Sequence, residues 1–283
     1  MPPSLAIRVM SADDMDRALD WAAAEGWNPG RGDAALFRAA DPGGFLMAVL
    51  EGEPVACISV VRYGAAFGFL GFYIATPATR GMGHGIALWR AGMARLGDRN
   101  IGLDGVPAQQ DNYRKSGFRL AWRNVRYQGV PAEPASVPRG VALVDARSLP
   151  FDRLAAYDAR FFPAPRDGFL AGWTTAPGHV ALAAIRDGAL AGLGVVRPCR
   201  LGFRIGPLQA ADSDIAAALV GGLCRRASAD IVALDVPEPN EAAARLAESF
   251  GLAPAFETAR MYTGNAPEID RAGLYGVTTF ELG

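Results

Sequence analysis

Short apolar blocks bounded by turn residues alternate along this chain with stretches of helical spacing. Phe45-Leu-Met-Ala-Val-Leu50 runs into the turn Glu51-Gly-Glu-Pro54, and Val55 to Arg62 and Phe67 to Thr76 follow. Blocks this short, rich in β-branched and aromatic side chains and punctuated by Gly and Pro, predict strands. Ile86, Trp89, Met93 and Leu96 fall instead on a single stripe at helical spacing, which predicts a helix. Ile101-Gly-Leu-Asp104 predicts a further strand, followed by a helix ending at Gly117 and a strand from Phe118 to Tyr127. Ahead of the first hairpin, Leu5 to Met10 reads as a strand, and Asp14 to Glu25 and Asp33 to Ala39 read as helices. Ser11 or Asp13 can cap the first of these helices and Gly26 can end it.

The same order then recurs. Val180 to Ile185, the turn Arg186-Asp-Gly188, Leu190 to Arg197 and Leu201 to Leu208 repeat the three-strand opening. A helix from Asp212, the strand Ile231-Val-Ala-Leu-Asp235, a helix ending at Gly251 and the strand Ala253 to Tyr262 complete the second copy. Even the ends rhyme, Arg126-Tyr-Gln-Gly129 against Arg260-Met-Tyr-Thr-Gly264. Between the copies, Gly129-Val-Pro-Ala-Glu-Pro-Ala-Ser-Val-Pro138 has the prolines and small residues of an extended connector. The pattern therefore predicts an α+β protein of two tandem domains, residues 1–130 and 141–283, joined by a linker at 131–140. Each domain is expected to be a mostly antiparallel twisted sheet flanked by helices.

A repeat is its own control, because features in both copies read as scaffold and features in one copy read as chemistry. Gly117 and Gly251 are shared and suit left-handed helix ends. Asp104 and Asp235 both close the strand before the last helix, which favours capping over catalysis, and Tyr127 and Tyr262 recur as packing residues. Arg197, Arg200 and Arg204 in the second copy read as solvated, or else as contacts for an anionic acceptor. The tail Tyr275-Gly-Val-Thr-Thr-Phe280 alternates like an edge or inter-domain strand and shows no chemistry.

Composition narrows the function classes. A net charge of -1 over 283 residues supplies no electrostatic footprint for nucleic acid or acidic membranes. Cys57, Cys199 and Cys224 are an odd set without metal-ligand spacing, and no basic segment leading into an apolar one opens the chain, so a cytoplasmic protein without a metal is expected. Arg186 and Asp187 interrupt the apolar run Val180 to Val196 well short of the roughly 20 residues a membrane span requires. Lys115 is the only lysine among many arginines, and with abundant Ala and Gly this fits a GC-rich bacterial genome.

The first copy alone carries the loop Arg80-Gly-Met-Gly-His-Gly85, set between the apolar strand Phe69-Leu-Gly-Phe-Tyr-Ile-Ala75 with its Thr76-Pro77 break and the helix opening at Ile86. Glycines let backbone approach a ligand, and the unpaired N–H groups of a helix start attract anions, so a phosphate or diphosphate is the expected guest. A dinucleotide fingerprint would need a small residue where Ile86 stands, and no Gly-Lys-Ser/Thr follows as a P-loop demands.

This strand, loop and helix, with a further strand and then Tyr113-Arg-Lys-Ser-Gly-Phe118, resembles the GNAT acyl-CoA-dependent N-acyltransferases. The likeness runs from Leu5 to Gln128. In the second copy it holds in outline only, since Leu208-Gln-Ala-Ala-Asp-Ser-Asp214 replaces the glycine loop and Ala247 stands where a tyrosine would be. The resemblance implies that Arg80, Gly81, Met82, Gly83, His84, Gly85 and Ile86 hold the diphosphate of acetyl-CoA. It implies that Tyr73, Ile74 and Ala75 pair with the pantetheine arm and that Tyr113 sits beside the sulfur as general acid. The acceptor side falls on Trp27, Asn28 and Asp104. The strand Phe67 to Thr76 lacks the glutamate some relatives use as base, which leaves Asp104, Asp111 or ordered water. The implied activity is acetyl transfer to a small amine or amino-acid-like acceptor by direct attack in a ternary complex, the alternative being a noncatalytic acyl-CoA-binding sensor or regulatory module. The second copy either covers the first copy's acceptor cleft, as an in-chain partner that would let the protein act as a monomer, or only stabilises the fold.

Overall fold

Ser11 opens the first helix as its position predicts. Its hydroxyl accepts from the Asp14 N–H at 3.2 Å while the Asp14 carboxylate accepts from the Ser11 N–H at 2.7 Å, a reciprocal capping box. The elements, in a computed structural model that describes residues 4–132 and 136–283, follow the two-copy plan. Residues 133–135 of the expected linker lie outside the described residues.

The first copy contains β1 (Leu5–Val9), α1 (Ala12–Ala24), α2 (Asp33–Ala40), β2 (Phe45–Leu50), β3 (Glu53–Tyr63) and β4 (Phe67–Ala75). It continues with α3 (His84–Leu96), β5 (Asn100–Gly105), α4 (Gln110–Lys115) and β6 (Arg119–Gly129). The second contains β7 (Val141–Asp145), α5 (Phe151–Asp158), α6 (Asp167–Thr175), β8 (Val180–Arg186), β9 (Ala189–Pro198) and β10 (Phe203–Ala210). It ends with α7 (Ser213–Ala227), β11 (Val232–Pro237), α8 (Glu241–Ser249), β12 (Ala253–Tyr262) and β13 (Leu274–Gly276).

These strands build one continuous sheet, in the order β1-β2-β3-β4-β5-β12-β6-β11-β10-β9-β8-β7, with β13 against β10. Among the described residues only β4 with β5 and β10 with β11 run parallel. The two copies are not side-by-side sheets: each lends its last strand to the other. β12 pairs with β5, β6 pairs with β11, and β6 and β12 pair with each other at the centre.

The rhyme at the strand ends marks this exchange. Arg126 on β6 lies opposite Asp235 on β11 and donates to both its carboxylate oxygens, at 2.6 and 2.9 Å. Arg260 on β12 lies opposite Asp104 on β5 and donates to both of its oxygens, at 2.8 and 2.6 Å. All four residues are sealed from water, save for the partly covered Asp104. The capping expected of Asp104 and Asp235 is thus corrected: each carboxylate grips the other copy's arginine. Burial works to raise the Asp235 carboxyl, but Arg126 and Arg204 more than offset it and hold it below the ordinary aspartate value.

Side chains alternating along β3 go to different cores. Cys57 and Val61 join a cluster beneath α1, α2, α5 and α6, in which Phe37 of the first copy stacks on Trp173 of the second at 6.2 Å. Ala56, Ile58 and Val60 pack under α3 on the other face. One apolar core therefore spans both copies, and it fixes how the strand exchange is oriented.

Candidate functional site

β4 and β5 stay in register only from Phe67 opposite Asn100 to Leu70 opposite Leu103. Beyond that point they splay, so the edge of β4 from Gly71 to Ala75 has no ladder partner on that side. The bend has a local cause. Between Ser59 opposite Gly71 and Cys57 opposite Ile74 the register slips by one residue, and Phe72 takes a left-handed φ of 48°. This is a β-bulge beside Gly71. The resulting cleft measures about 690 Å³ and is lined by Leu70 to Ala75 on one wall and Leu103 to Val106 on the other.

The glycine loop closes one end of this cleft. Gly81 and Gly83 have φ of 81° and 88°, and a Cβ at either would meet nothing within 4 Å, so backbone alone faces outward there. Gly83 is the residue before α3, and no side chain caps the helix. The first-turn N–H groups are therefore free for an anion, and the donor set fits a diphosphate. Arg80, Gly81, Gly83, Gly85 and Ile86 line the cleft, as do Tyr73, Ile74 and Ala75, whereas Met82 and His84 do not. Arg80 pairs with Glu25 at the end of α1 and donates from Nε to the Ala75 carbonyl at 3.1 Å.

Tyr113 reaches the cleft from α4. Its ring stacks on Trp89 of α3 at 5.6 Å, and Trp89 tilts against Tyr73 at 5.2 Å. Gly105 leaves room for it, because a Cβ there would stand 2.1 Å from the Tyr113 ring. Burial, with Tyr73 adding a smaller push, raises the phenol to about 12. It therefore keeps its proton at any physiological pH.

The end of the cleft near Trp27 is a joint product of both copies. Trp27 lines the cleft, and its carbonyl accepts from Arg126 at 2.9 Å and from Arg204 at 2.7 Å. Asn28 does not line it: the side-chain amide bonds both the N–H and the carbonyl of Leu201, each at 2.9 Å, and so braces the two copies against each other. Asp104 lines the cleft with both oxygens engaged by Arg260, and Asn124 donates to one of them at 2.7 Å. Asp111 lies on the exposed side of α4, paired with Arg114.

Sequence reasoning placed no residue of the second copy at the site, yet Phe256 and Thr258 on β12 and Phe280 and Glu281 beyond β13 line the cleft. The tail Tyr275 to Phe280 was expected to hold no chemistry. The carboxylate of the next residue, Glu281, is nevertheless buried in the site wall, and its Oε2 has no hydrogen-bond partner among the described residues. The one available signal was a lone acidic residue between Leu274 and Gly283. Arg197 and Arg204, expected to be solvated, are fully buried: Arg197 donates to Asp33 at 3.0 Å, and Arg204 holds the Trp27 loop. Arg200 is exposed and pairs with Asp20.

In the second copy the corresponding groove is filled. β10 and β11 also part after Ile205 opposite Leu234, but β13 fills the gap, pairing with β10 at Leu208 and Gln209. The Val277 N–H then donates to the Asp235 carbonyl at 2.9 Å. Asp212 caps α7 by accepting from the Ile215 N–H at 3.0 Å, which occupies the helix start that α3 leaves free. Among the described residues no helix is long and apolar enough to cross a membrane.

Residues 12–118 match the Acetyltransferase (GNAT) family, and residues 154–276 match the Acetyltransferase (GNAT) domain. The chain is 30% identical over 266 residues to the holothin acyltransferase of Pseudoalteromonas sp. (strain SANK 73390), spanning 93% of this chain and 90% of that protein. A solved Pyrococcus horikoshii protein assigned to the acetyltransferases superposes with a TM-score of 0.83 at 23% identity, over 99% of this chain and 96% of that one. A tandem GNAT protein from the clavulanic acid biosynthesis pathway superposes with a TM-score of 0.66 at 17% identity, over 93% and 100% of the two chains. These two structures share the fold.

Proposed function

Because this chain belongs to the GNAT acyltransferase superfamily, with two such domains in tandem, we propose that it is an acetyl-CoA-dependent N-acetyltransferase acting on a small amine. Catalysis is assigned to the first copy and cleft-building to the second. The observation that carries the reading is that the uncapped glycine loop, the unpaired edge of β4 and the buried Tyr113 all face one cleft.

Acetyl-CoA supplies an acetyl thioester when bound. The loop amides from Gly81 to Ile86 hold its diphosphate, joined by Arg80 once that guanidinium leaves Glu25. The β4 edge from Tyr73 to Ala75 offers the hydrogen bonds that orient the pantetheine arm, and a backbone N–H beyond the Gly71 bulge faces the developing oxyanion. Tyr113 holds a proton on Oη for the departing sulfur. Positioned acids of this kind contribute roughly 100- to 10,000-fold. Trp27 supplies a flat wall for the acceptor, and Asp104, fixed by Arg260 and Asn124, sets the polarity at the end of β5.

The holothin acyltransferase is named for transfer to holothin; for this chain the inferred class is a small primary amine, which the aromatic wall of Trp27, Phe256 and Phe280 suits. Calorimetry of the full chain with acetyl-CoA, followed by thiol release across a panel of alkyl and aryl primary amines, tests the reading. Saturable heat with acetyl-CoA and amine-dependent thiol release are expected. Heat without release from any amine would leave binding alone, and no heat at all would end the proposal.

A further inference from the structure

The segment after β13 is pinned across β4 at the bulge. A Cβ on Gly71 would stand 2.5 Å from the Glu281 carbonyl oxygen and 2.8 Å from its Cα, so backbone passes backbone there. Ser59 donates to that same carbonyl at 3.3 Å, and Tyr63 donates to the Leu282 carbonyl at 2.9 Å. The Leu282 N–H donates to Thr279 Oγ1 at 3.0 Å, and Arg166 donates to the Gly283 carbonyl at 3.2 Å. Every one of these bonds positions main chain and leaves the Glu281 side chain uncommitted. Glu281 is only 3% exposed, lines the cleft beside Trp27, Thr258 and Phe280, and has no partner for Oε2 among the described residues. Thr258 Oγ1 on the same wall is equally unpartnered. A buried carboxylate with an idle oxygen is costly unless something entering the cleft meets it.

We propose that Glu281, delivered by the closing segment of the second copy, is the general base that deprotonates the acceptor amine. The assignment rests on the acetyltransferase reading and supplies the base that the strand Phe67 to Thr76 lacks. The ammonium of the acceptor gives one proton to the Glu281 carboxylate, which passes it to solvent. The freed nitrogen lone pair forms the C–N bond to the acetyl carbon, and the C–S bond breaks with its electron pair on sulfur. Tyr113 protonates that sulfur and recovers a proton as the nitrogen loses its second one, so the sum is amide, free thiol and one proton released.

The charges around Glu281 are Arg204 on β10, Arg197 on β9 and Arg126 on β6, which favour its ionised form, and Asp33 on α2, which opposes it. Burial outweighs them and raises the carboxyl above the ordinary glutamate value.

The test uses the full chain and the best amine of the panel. Glu281→Gln should lower kcat by about 100-fold or more, while the acetyl-CoA Kd and the acceptor KM stay within about threefold. The wild-type rate should rise with pH along a unit-slope limb that the Gln variant lacks, and formate should restore part of the activity of Glu281→Ala. Should the Gln variant fail to bind acetyl-CoA, the wild-type limb and formate rescue decide. A Gln variant with unchanged kcat, or a loss confined to the acceptor KM, overturns the assignment while the acetyltransferase reading stands. If the wild-type chain releases no thiol with any amine, that reading fails and this one with it.

Discussion

Replacing Gly105 with alanine isolates the part that Tyr113 plays. The added Cβ would stand 2.1 Å from Cε2, 2.7 Å from Cδ2 and 3.0 Å from Cζ of the ring. Ordinary carbon contact begins near 3.4 Å, so the ring has to retreat by roughly 1.3 Å. Behind it stands Trp89 at 5.6 Å, itself backed by Tyr73, so the retreat shifts the hydroxyl rather than dissipating in free space. A reacting group misplaced by about 1 Å costs on the order of 100-fold in rate. Overpacking should also cost about 1–3 kcal/mol of stability, partly offset by the roughly 0.5–1 kcal/mol that alanine gains over glycine in a strand. The assay is kcat by thiol release, with acetyl-CoA affinity by calorimetry and unfolding followed in parallel. Gly105→Ala should lose about 100-fold in kcat on the wild-type background and little on a Tyr113→Phe background, because the two changes remove the same proton donor. Equal losses on both backgrounds would refute the argument that Gly105 acts through Tyr113.

Tyr113→Phe itself should lower turnover by roughly 100- to 10,000-fold with coenzyme affinity nearly unchanged, and unaltered turnover would remove the general-acid role. Because burial raises the Tyr113 phenol to about 12, its protonated form persists until pH approaches that value; the pH profile should therefore show no alkaline fall assignable to this group below about pH 10, and one abolished by Tyr113→Phe would contradict it. Trp27→Ala should raise the acceptor KM more than the acetyl-CoA KM, a contrast read from initial rates with each substrate varied. Asp235→Ala strands Arg126 in the core and should cost about 3–5 kcal/mol in chemical denaturation, whereas a loss under 1 kcal/mol would show that the exchanged strands do not depend on this pair.

The repeat, the strand and helix order and the glycine loop were legible because each is written locally. Period, punctuation and capping residues act within a few positions, and Ser11, Gly26, Gly81 and Gly83 do in the structure what their types allow anywhere. The place of Tyr113 at the cleft was legible for a related reason: the second copy lacks a tyrosine there, and comparison within one chain sets such a residue apart from scaffold. The strand exchange was not legible. Asp104 and Asp235 sit at matching strand ends, and nothing local says that their partners, Arg260 and Arg126, come from opposite copies.

The second copy's share of the cleft wall was hidden for the same cause at longer range. Glu281 lies far along the chain from Gly71, and only the crossing of two backbones brings them together. The elements, the tandem plan and the uncapped glycine loop were all readable from the chain, since short-range sterics and hydrogen bonding decide those. Tertiary structure alone decided which groove stays open and which strand seals the other. It also decided which carboxylate lines the cleft, because burial, splay and the pairing of buried charges exist only once distant segments share one core.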